Sequence, residues 1–553
     1  MILALAAPPG GGGVVPIPPA DLVVRHAVIH TANEHQRIAQ AMAIRHGRII
    51  QIGNEPSVEP LIGAGTQVLD LRGLTVLPGL IDSHGHVASL GKTLVELDLT
   101  GARSYEAVVE SVKARADRLP PRAWVEGRGW DQNRWPGHAM PTAGPLSGAV
   151  PDRPVALWRV DGHALLVNRF AMDLARITRA TLDPPGGRIL RDSTGAPIGV
   201  LLDNAANLVT DLMPIVRHTQ QEDLLLAGLR ECARYGLTMV GDAGIDDATW
   251  EAYRALQARS ELPIRVYAMA TEPSDLADSI IAQGRVIADD RLMLRALKVI
   301  VDGALGSRGA LLSREYSDQP GWKGIQLVSY DSLARVANRA RSAGLQMRVH
   351  CIGDSAAHLT INAFEQAFLW EPYPKLRWAI EHAQVVRLDD VKRMAHLGVV
   401  ASIEATHATS DGPWVEERLG PDRVKWSYAW RTFLDWKVPI ANGSDFPVES
   451  PNPLLGLYAS VTRRDLEGRL PATGWRPEQK LTPDEALLSF TLWGARLAFR
   501  ESDLGSLEIG KQADFVIVDR DVIDGPVDEI PKARVLRTVV AGRTVWQEPE
   551  AGH

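Results

Sequence analysis

Two histidines one residue apart, in the segment LTVLPGLIDSHGHV, are the first sign of chemistry in this chain. In an extended strand, residues i and i+2 face the same way. His84 and His86 therefore present two imidazoles to one side, with Gly85 leaving room between them. Neutral imidazole is a good zinc ligand. Four further polar residues sit at or near the C-terminal ends of apolar runs: Lys298 in LRALKVIVDG, His350 in LQMRVHCIGD, His382 in LRWAIEHAQ and Asp445 in PIANGSDFPV. His350 and His382 would complete a mainly nitrogen site. A lone histidine is usually a solvated or hydrogen-bonded residue, but four at strand ends, two of them at i,i+2 spacing, point to a metal centre. Parallel strands closed into a barrel gather such ends on one rim.

Lys298 has two readings. An ammonium inside LRALKVIVDG is costly to bury without a partner. It either snorkels toward the rim or is converted into an anion that bridges metals, and the pattern alone leaves these even. Asp445 follows ANGS and precedes Phe446 and Pro447. A carboxylate there can accept a proton from a water whose pKa a metal has lowered to about 7. A turn-forming aspartate is the alternative; its place after the last strand favours the catalytic reading. Cys351 adjoins His350, so strand alternation aims it away from the site and into packing. Cys232, in LRECARYG, reads as helical core.

The elements that must position these residues alternate strands and helices. Candidate strands are LTVLPGLIDSH, GLTMVGDAG, PIRVYAMA, LRALKVIVDG, LQMRVHCIGD, LRWAIEHAQ, GVVASIEATH and VPIANGSDFP. Amphipathic stretches such as SLARVANRARSAG, SAAHLTINAFEQAFLW and RLDDVKRMAHLG fall between them. Eight strands with intervening helices favour a TIM-type α/β barrel over an open doubly wound sheet. Short glycine-punctuated strands at both ends (DLVVRHAVIHT and AMAIRHGRIIQIG, then GSLEIGKQADFVIVDRD and VLRTVVAGRTVW) predict one β-sandwich built from both termini. The organisation expected is a leader over 1–20, a sandwich over 21–76 and 500–553, and a barrel over 77–499 with an insertion of about 99–215. The insertion carries the strand-like pieces RAWVEGRGW and RPVALWRV and would cover the catalytic face. LTPDEALLSFTLWGARLAF reads as a late helix, with Thr482 as N-cap and Pro483 at its first position.

Composition sets bounds. A chain of 553 residues, 45% hydrophobic and 23% charged, has the make-up of a soluble globular protein with a large core. A net charge of −7 and the absence of a long basic run argue against a nucleic-acid partner. No apolar stretch approaches the roughly 20 residues that span a bilayer. Two cysteines make no disulfide framework. The opening MILALAAPPGGGG resembles the tail of a secretory signal but lacks a basic n-region. The compartment therefore stays open: cytoplasmic as the chain stands, periplasmic or secreted if the leader is a signal remnant. A homodimer is the default assembly for a soluble enzyme of this size.

The segments PGLIDSHGHV, LKVIVDGALGSRGALL, RVHCIGDSA, AIEHAQ and GSDFPVESPNPL resemble the amidohydrolase superfamily, and within it the family-3 branch that includes enzymes similar to N-substituted formamide deformylases. GRGWDQNRW, DGHALLVN and GSLEIGKQADFVIVD also look like segments of that branch, and the resemblance covers nearly the whole chain after about residue 20. It implies a distorted TIM barrel plus a sandwich from both termini. It implies that His84, His86 and Asp445 hold the more buried of two divalent ions, most simply zinc, that Lys298 is N-carboxylated and bridges them, and that His350 and His382 bind the second. A single-metal site is the fallback if Lys298 is unmodified. The chemistry implied is hydrolysis of an amide-type carbon–nitrogen bond in a small molecule by a metal-activated hydroxide, with Asp445 as general base.

Residues that would face the substrate carry weaker signals. The resemblance suggests that His163, in DGHALLVN, meets the reacting group; a structural loop histidine is the alternative. Trp130 and Asp131, from GRGWDQNRW, are expected on the pocket wall. Arg308, in GALGSRGA, is read either as a ligand for a substrate carboxylate or carbonyl or as the partner of a rim acid. Of fifteen tryptophans, Trp130, Trp135, Trp322, Trp414, Trp426 and Trp430 lie in loops or the insertion, and either line an aromatic pocket or staple loops to the barrel. Rival functions are ester, lactone or carbamate hydrolysis at the same metals, lyase or isomerase chemistry there, and a metal-binding barrel without catalysis.

Overall fold

The structure, a computed structural model, describes residues 18–214 and 218–549. Its centre is a run of eight parallel strands hydrogen-bonded in chain order: β1 (Leu80–Gly85), β2 (Leu237–Ile245), β3 (Arg265–Thr271), β4 (Leu292–Ile300), β5 (Gln346–Cys351), β6 (Ala379–His382), β7 (Val400–Glu404) and β8 (Ile440–Gly443). The ring closes where the segment after β8 meets β1. Gly85 and Phe446 form a parallel bridge, Asp445 N–H donates to His84 O at 2.7 Å, and His86 N–H donates to Phe446 O at 2.8 Å. The strands are buried almost throughout, as parallel strands covered on both faces must be.

All eight expected runs contribute a barrel strand, with one division. In LTVLPGLIDSH the chain changes layer at Gly79. Thr75–Pro78 belongs to the sandwich, antiparallel to Phe515–Val518, and the barrel strand begins at Leu80. The glycine is required there, since a Cβ would lie 2.3 Å from Thr238 Oγ1.

The connecting helices follow their apolar stripes. Tyr330–Ala343 is capped by Ser329, buries Leu333, Ala337 and Ala340, and stops at Gly344 in a left-handed conformation. Thr482 caps Pro483–Ser489 with Pro483 at the first position, and Glu485 completes a capping box. The stretch expected as one late helix is two, because Thr491 leaves helical geometry before Leu492–Leu497. Ala495 and Ala498 pack with Ile81, Met239, Tyr267, Met269 and Met293 in the barrel interior, which closes one end of the barrel and leaves the other for the site.

The two termini form the expected sandwich. A four-stranded sheet (Arg48–Gly53, Ala41–Arg45, Leu22–Arg25, Gln67–Asp70) faces a six-stranded one (Arg543–Gln547, Val535–Val540, Phe515–Val518, Thr75–Pro78, Val28–His30, Ile38–Ala39). Val24, Ile29, Met42, Val76, Phe515 and Ile517 fill the space between. Of the stretch read as a leader, residues 1–17 lie outside the described residues, and Ala20 is buried with its N–H on Leu61 O. Buried Arg265 clasps Asp514 with both oxygens, at 2.9 and 3.0 Å, and so joins barrel to sandwich. The insertion after β1 is a six-stranded mixed sheet of its own, running from Leu97–Asp98 to Pro197–Asp203. Among the described residues no helix is long and apolar enough to cross a membrane.

Candidate metal centre

The six residues singled out at strand ends meet on the open rim. His84 lies in β1 and His86 just beyond it; Lys298 is in β4, His350 in β5, His382 ends β6, and Asp445 follows β8. His84 Nε2 and His86 Nε2 lie 3.6 and 3.1 Å from the same oxygen, Asp445 Oδ1. Lys298 Nζ donates to His84 Nε2 at 3.0 Å. The His382 ring centre is 4.9 Å from that of His84 and 4.5 Å from that of His350. His382 and Asp445 adopt left-handed backbone conformations, with φ of +68° and +57°. Non-glycine residues held there cost about 1–3 kcal/mol each and cluster at functional sites. Gly85 has a reason other than the expected room between imidazoles: a Cβ would come within 2.3 Å of the Phe446 ring, which closes the barrel at that point.

A second tier of buried polar groups holds the imidazoles. His84 Nδ1–H donates to Glu381, whose other contacts come from the Arg348 guanidinium; Arg348 Nη2 also donates to Ser83 O at 3.0 Å. His382 Nδ1–H donates to Glu404 Oε2 at 2.9 Å. These bonds fix the tautomers and turn each Nε2 lone pair toward the site, where that of His84 accepts from Lys298. Asp82 accepts from His84 N–H at 3.0 Å and from Ser444 N–H and Oγ at 3.1 and 2.7 Å, binding the first strand to the last. Asp302 takes backbone N–H groups from Leu311, Ile352 and Gly353 and sits 3.6 Å from His350 Nε2.

Protonation follows from burial. Desolvation, then the Lys298 charge, holds His84 well below the ordinary imidazole value; desolvation and the neighbouring imidazoles do the same for His350, and His382 is lowered to about 3. All three imidazoles are neutral at any physiological pH. Burial alone would raise the Asp445 carboxyl, but the hydrogen bond from His86 and the adjacent imidazoles outweigh it and hold it well below the carboxylate range. Burial lowers the Lys298 ammonium against the opposing pull of Glu381 and Asp445. His350 Nε2, Glu404 Oε1 and His407 Nε2 are buried with no hydrogen-bond partner. Three groups of potential ligand atoms lie here: His84, His86 and Asp445; His382, Glu404 and His407; and His84, Glu381 and Glu404. Buried ring nitrogens and a carboxyl oxygen without hydrogen-bond partners fit a cation.

Above the rim an open cavity of about 460 Å³ is walled on one side by the insertion. His163 faces it, with Nδ1–H donating to Asp203 Oδ1 at 2.7 Å and its ring centre 5.1 Å from that of His350. Asp131 lines it and pairs with Arg159 at 2.5 Å. Two expectations are corrected. Trp130 does not line the cavity: it is fully buried in the core of the insertion, its Nε1–H on Leu157 O at 2.8 Å, because it and Asp131 alternate across the end of one strand. Arg308 is absent from the cavity wall and pairs with Asp318 at 2.7 Å, the rim-acid alternative. Of the loop tryptophans, Trp414 lines the cavity, whereas Trp135 and Trp430 are core and Trp322 lies beneath the Arg188 guanidinium. Cys351 points away from the site, with Sγ 3.1 Å from Thr360 Oγ1.

Residues not foreseen are Glu381, Arg348, Glu404, His407, Asp203 and Asp302. Glu404 had a signal, since it ends the apolar run VVASIE as His382 ends its own.

Known proteins share this arrangement of elements. Residues 67–546 match the model of the amidohydrolase family. The chain is 32% identical to Protein LONG AFTER FAR-RED 3 of Arabidopsis thaliana over 95% of its own length and 92% of the other. It is 29% identical to the N-substituted formamide deformylase of Arthrobacter pascens over 94% and 97% of the two chains. The crystal structure of an uncharacterized metal-dependent hydrolase from Pyrococcus horikoshii OT3 superposes with a TM-score of 0.75 at 28% identity, over 92% of this chain and 99% of that one.

Proposed function

The chain belongs to the amidohydrolase family, and from that premise we propose that it hydrolyses an amide-type carbon–nitrogen bond of a small molecule at one or two divalent ions, most simply zinc, on the barrel rim. The observation that carries this reading is the convergence of His84 Nε2 and His86 Nε2 on Asp445 Oδ1, beside buried polar atoms without partners at His350 and Glu404. His84, His86 and Asp445 would hold one ion, and His350 and His382 a second, with Lys298 between. An ion bound there lowers the pKa of a coordinated water to about 7 and polarises a carbonyl.

The chain's own groups do the rest. Asp445, kept ionised by its imidazole neighbours, takes the proton of the attacking water and passes it to the leaving nitrogen. His163, oriented by Asp203, meets the oxygen of the substrate carbonyl. Burial of Lys298 favours loss of the ammonium proton, and the neutral amine that results is the form that adds carbon dioxide. Its nitrogen bonds to the carbon, one C=O π pair moves to oxygen, and the nitrogen gives a second proton to solvent. The product is an anionic carbamate that would serve as a metal ligand. The preference for a carbon–nitrogen bond is supported by the formamide deformylase relative.

The test is turnover of matched N-acyl amines and isosteric esters by protein stripped of metal and then reloaded with zinc. Amide hydrolysis that tracks bound metal is expected, together with a Lys298 mass increase of one carboxylate. Metal-loaded protein that cleaves the esters and leaves the amides intact would remove the carbon–nitrogen reading. Full activity in stripped protein would remove the metal centre.

A further inference from the structure

Four arginines line the cavity: Arg128, Arg134, Arg159 and Arg469. Three are neutralised by carboxylates. Arg134 pairs with Glu467 at 2.5 Å, Arg159 with Asp131 and Asp161 at 2.5 Å each, and Arg469 with Asp465 at 3.0 Å. Arg128 has no carboxylate at ion-pair distance among the described residues. Its Nη2 donates to the Val160 carbonyl at 2.9 Å, and its Nε is buried without an acceptor. A guanidinium stays charged at any ordinary pH, and that of Arg128, half-buried with its Nε shut off from water, lines the cavity with a charge that no carboxylate pairs.

The fold holds that charge beside the reacting centre. Arg128 lies in the strand Val125–Trp130, and its guanidinium lies against Gly162, which has φ of +72°. A Cβ at position 162 would lie 3.3 and 3.4 Å from Nη2 and Nη1, so a side chain there would crowd the fork. The next residue is His163, whose ring adjoins that of His350. Two of the cavity's carboxylates are already engaged elsewhere: Asp411 accepts from Gln384 Nε2 at 3.1 Å and Glu449 from Ser410 Oγ at 2.6 Å.

We propose that Arg128 anchors an anionic group of the substrate, a carboxylate a few bonds from the scissile bond, so that the substrates are N-acylated amino acids rather than neutral N-substituted amides. The guanidinium fork matches a carboxylate with two parallel hydrogen bonds. The inference rests on the cavity being the hydrolytic site proposed above, and it reassigns to Arg128 the carboxylate-binding role that sequence suggested for Arg308.

The test compares N-formyl-phenylalanine with N-formyl-phenethylamine, which differ by the carboxylate, as substrates of the zinc-loaded full chain. Wild-type kcat/KM is expected to favour the acid by at least about tenfold, since bidentate charge-assisted pairs are the strong ones. In Arg128→Gln that ratio should collapse toward one, and Arg128→Lys should fall between. A wild-type preference for the neutral amide, or an unchanged ratio in Arg128→Gln, overturns the proposal without touching the hydrolase reading. If neither compound turns over, the hydrolase reading is the one in difficulty, and calorimetric binding of N-formyl-phenylalanine still decides on Arg128. A tenfold or greater loss of affinity in Arg128→Gln upholds the anchor; equal affinity refutes it.

Discussion

The two walls of the cavity are built differently. On the barrel wall, His84, His350, His382 and Asp445 sit on or next to strand ends fixed by backbone ladders, and Glu381, Arg348 and Glu404 are buried beneath them. On the insertion wall, His163, Arg128 and Asp131 stand on strand ends and turns, and their supports are side-chain pairs such as His163–Asp203 and Arg159–Asp131. The first wall is over-determined and suits groups whose geometry must not vary; the second can be rewritten without disturbing the first. On the reading proposed above, the barrel wall would hold the metal-binding groups, while the insertion wall would carry recognition together with the contact of His163 to the substrate, a division that barrel enzymes allow.

The sharpest test of the division is Asp445→Asn, which should lower kcat by about a thousandfold or more while circular dichroism shows an intact fold; stripping the metal should do the same reversibly. Near-normal turnover in that variant would end the distinction. Next, Glu404→Gln should weaken zinc affinity by roughly 10–100-fold through the loosened His382 ring, read by competition with a chelating dye. Equal affinity would mean that Glu404 fills space and nothing more.

On the insertion wall the effect moves to pH. Burial pushes the His163 imidazole down, but Asp203, Asp161 and Asp445 outweigh it and its pKa stands above the ordinary 6.5. A raised value keeps the protonated form to higher pH, so the kcat/KM profile should fall as pH rises through it. Asp203→Asn removes the main raising group and should shift that falling limb toward acid, with metal content unchanged. A limb that stays in place assigns it to another group. The smallest effect belongs to Arg308→Ala. Its pair with Asp318 is partly exposed and off the cavity, so stability should change by about 1 kcal/mol or less and the substrate preference not at all. A shift in preference would put Arg308 back in the site.

How much was legible from sequence depended on where the controlling contacts lie. The barrel strands and the six rim residues are readable because an apolar run ending in a polar residue is a local pattern, and closure of the ring does the rest. Arg348 and Glu381 are not readable that way: each is an isolated charge within a strand, and their pairing requires adjacent strands in register. Trp130 misled because motif neighbours share a chain segment but not a face. Arg308 resolved only when the loop returned Asp318 to it. In the insertion, the pieces around Val125–Trp130 and Val155–Arg159 announce themselves by composition, whereas Asp203, which orients His163, follows a hairpin forty residues downstream of it and leaves no local trace.

Gly79 lets one run of backbone serve two layers, with His84 five positions further on. No slack tether intervenes between the terminal sheets and the histidine pair, so the peripheral layer acts as a stiff handle on the ligand sphere. A protein or tag that grips those outer sheets would register as a changed spacing of His84, His86 and Asp445 instead of as a swinging of lobes.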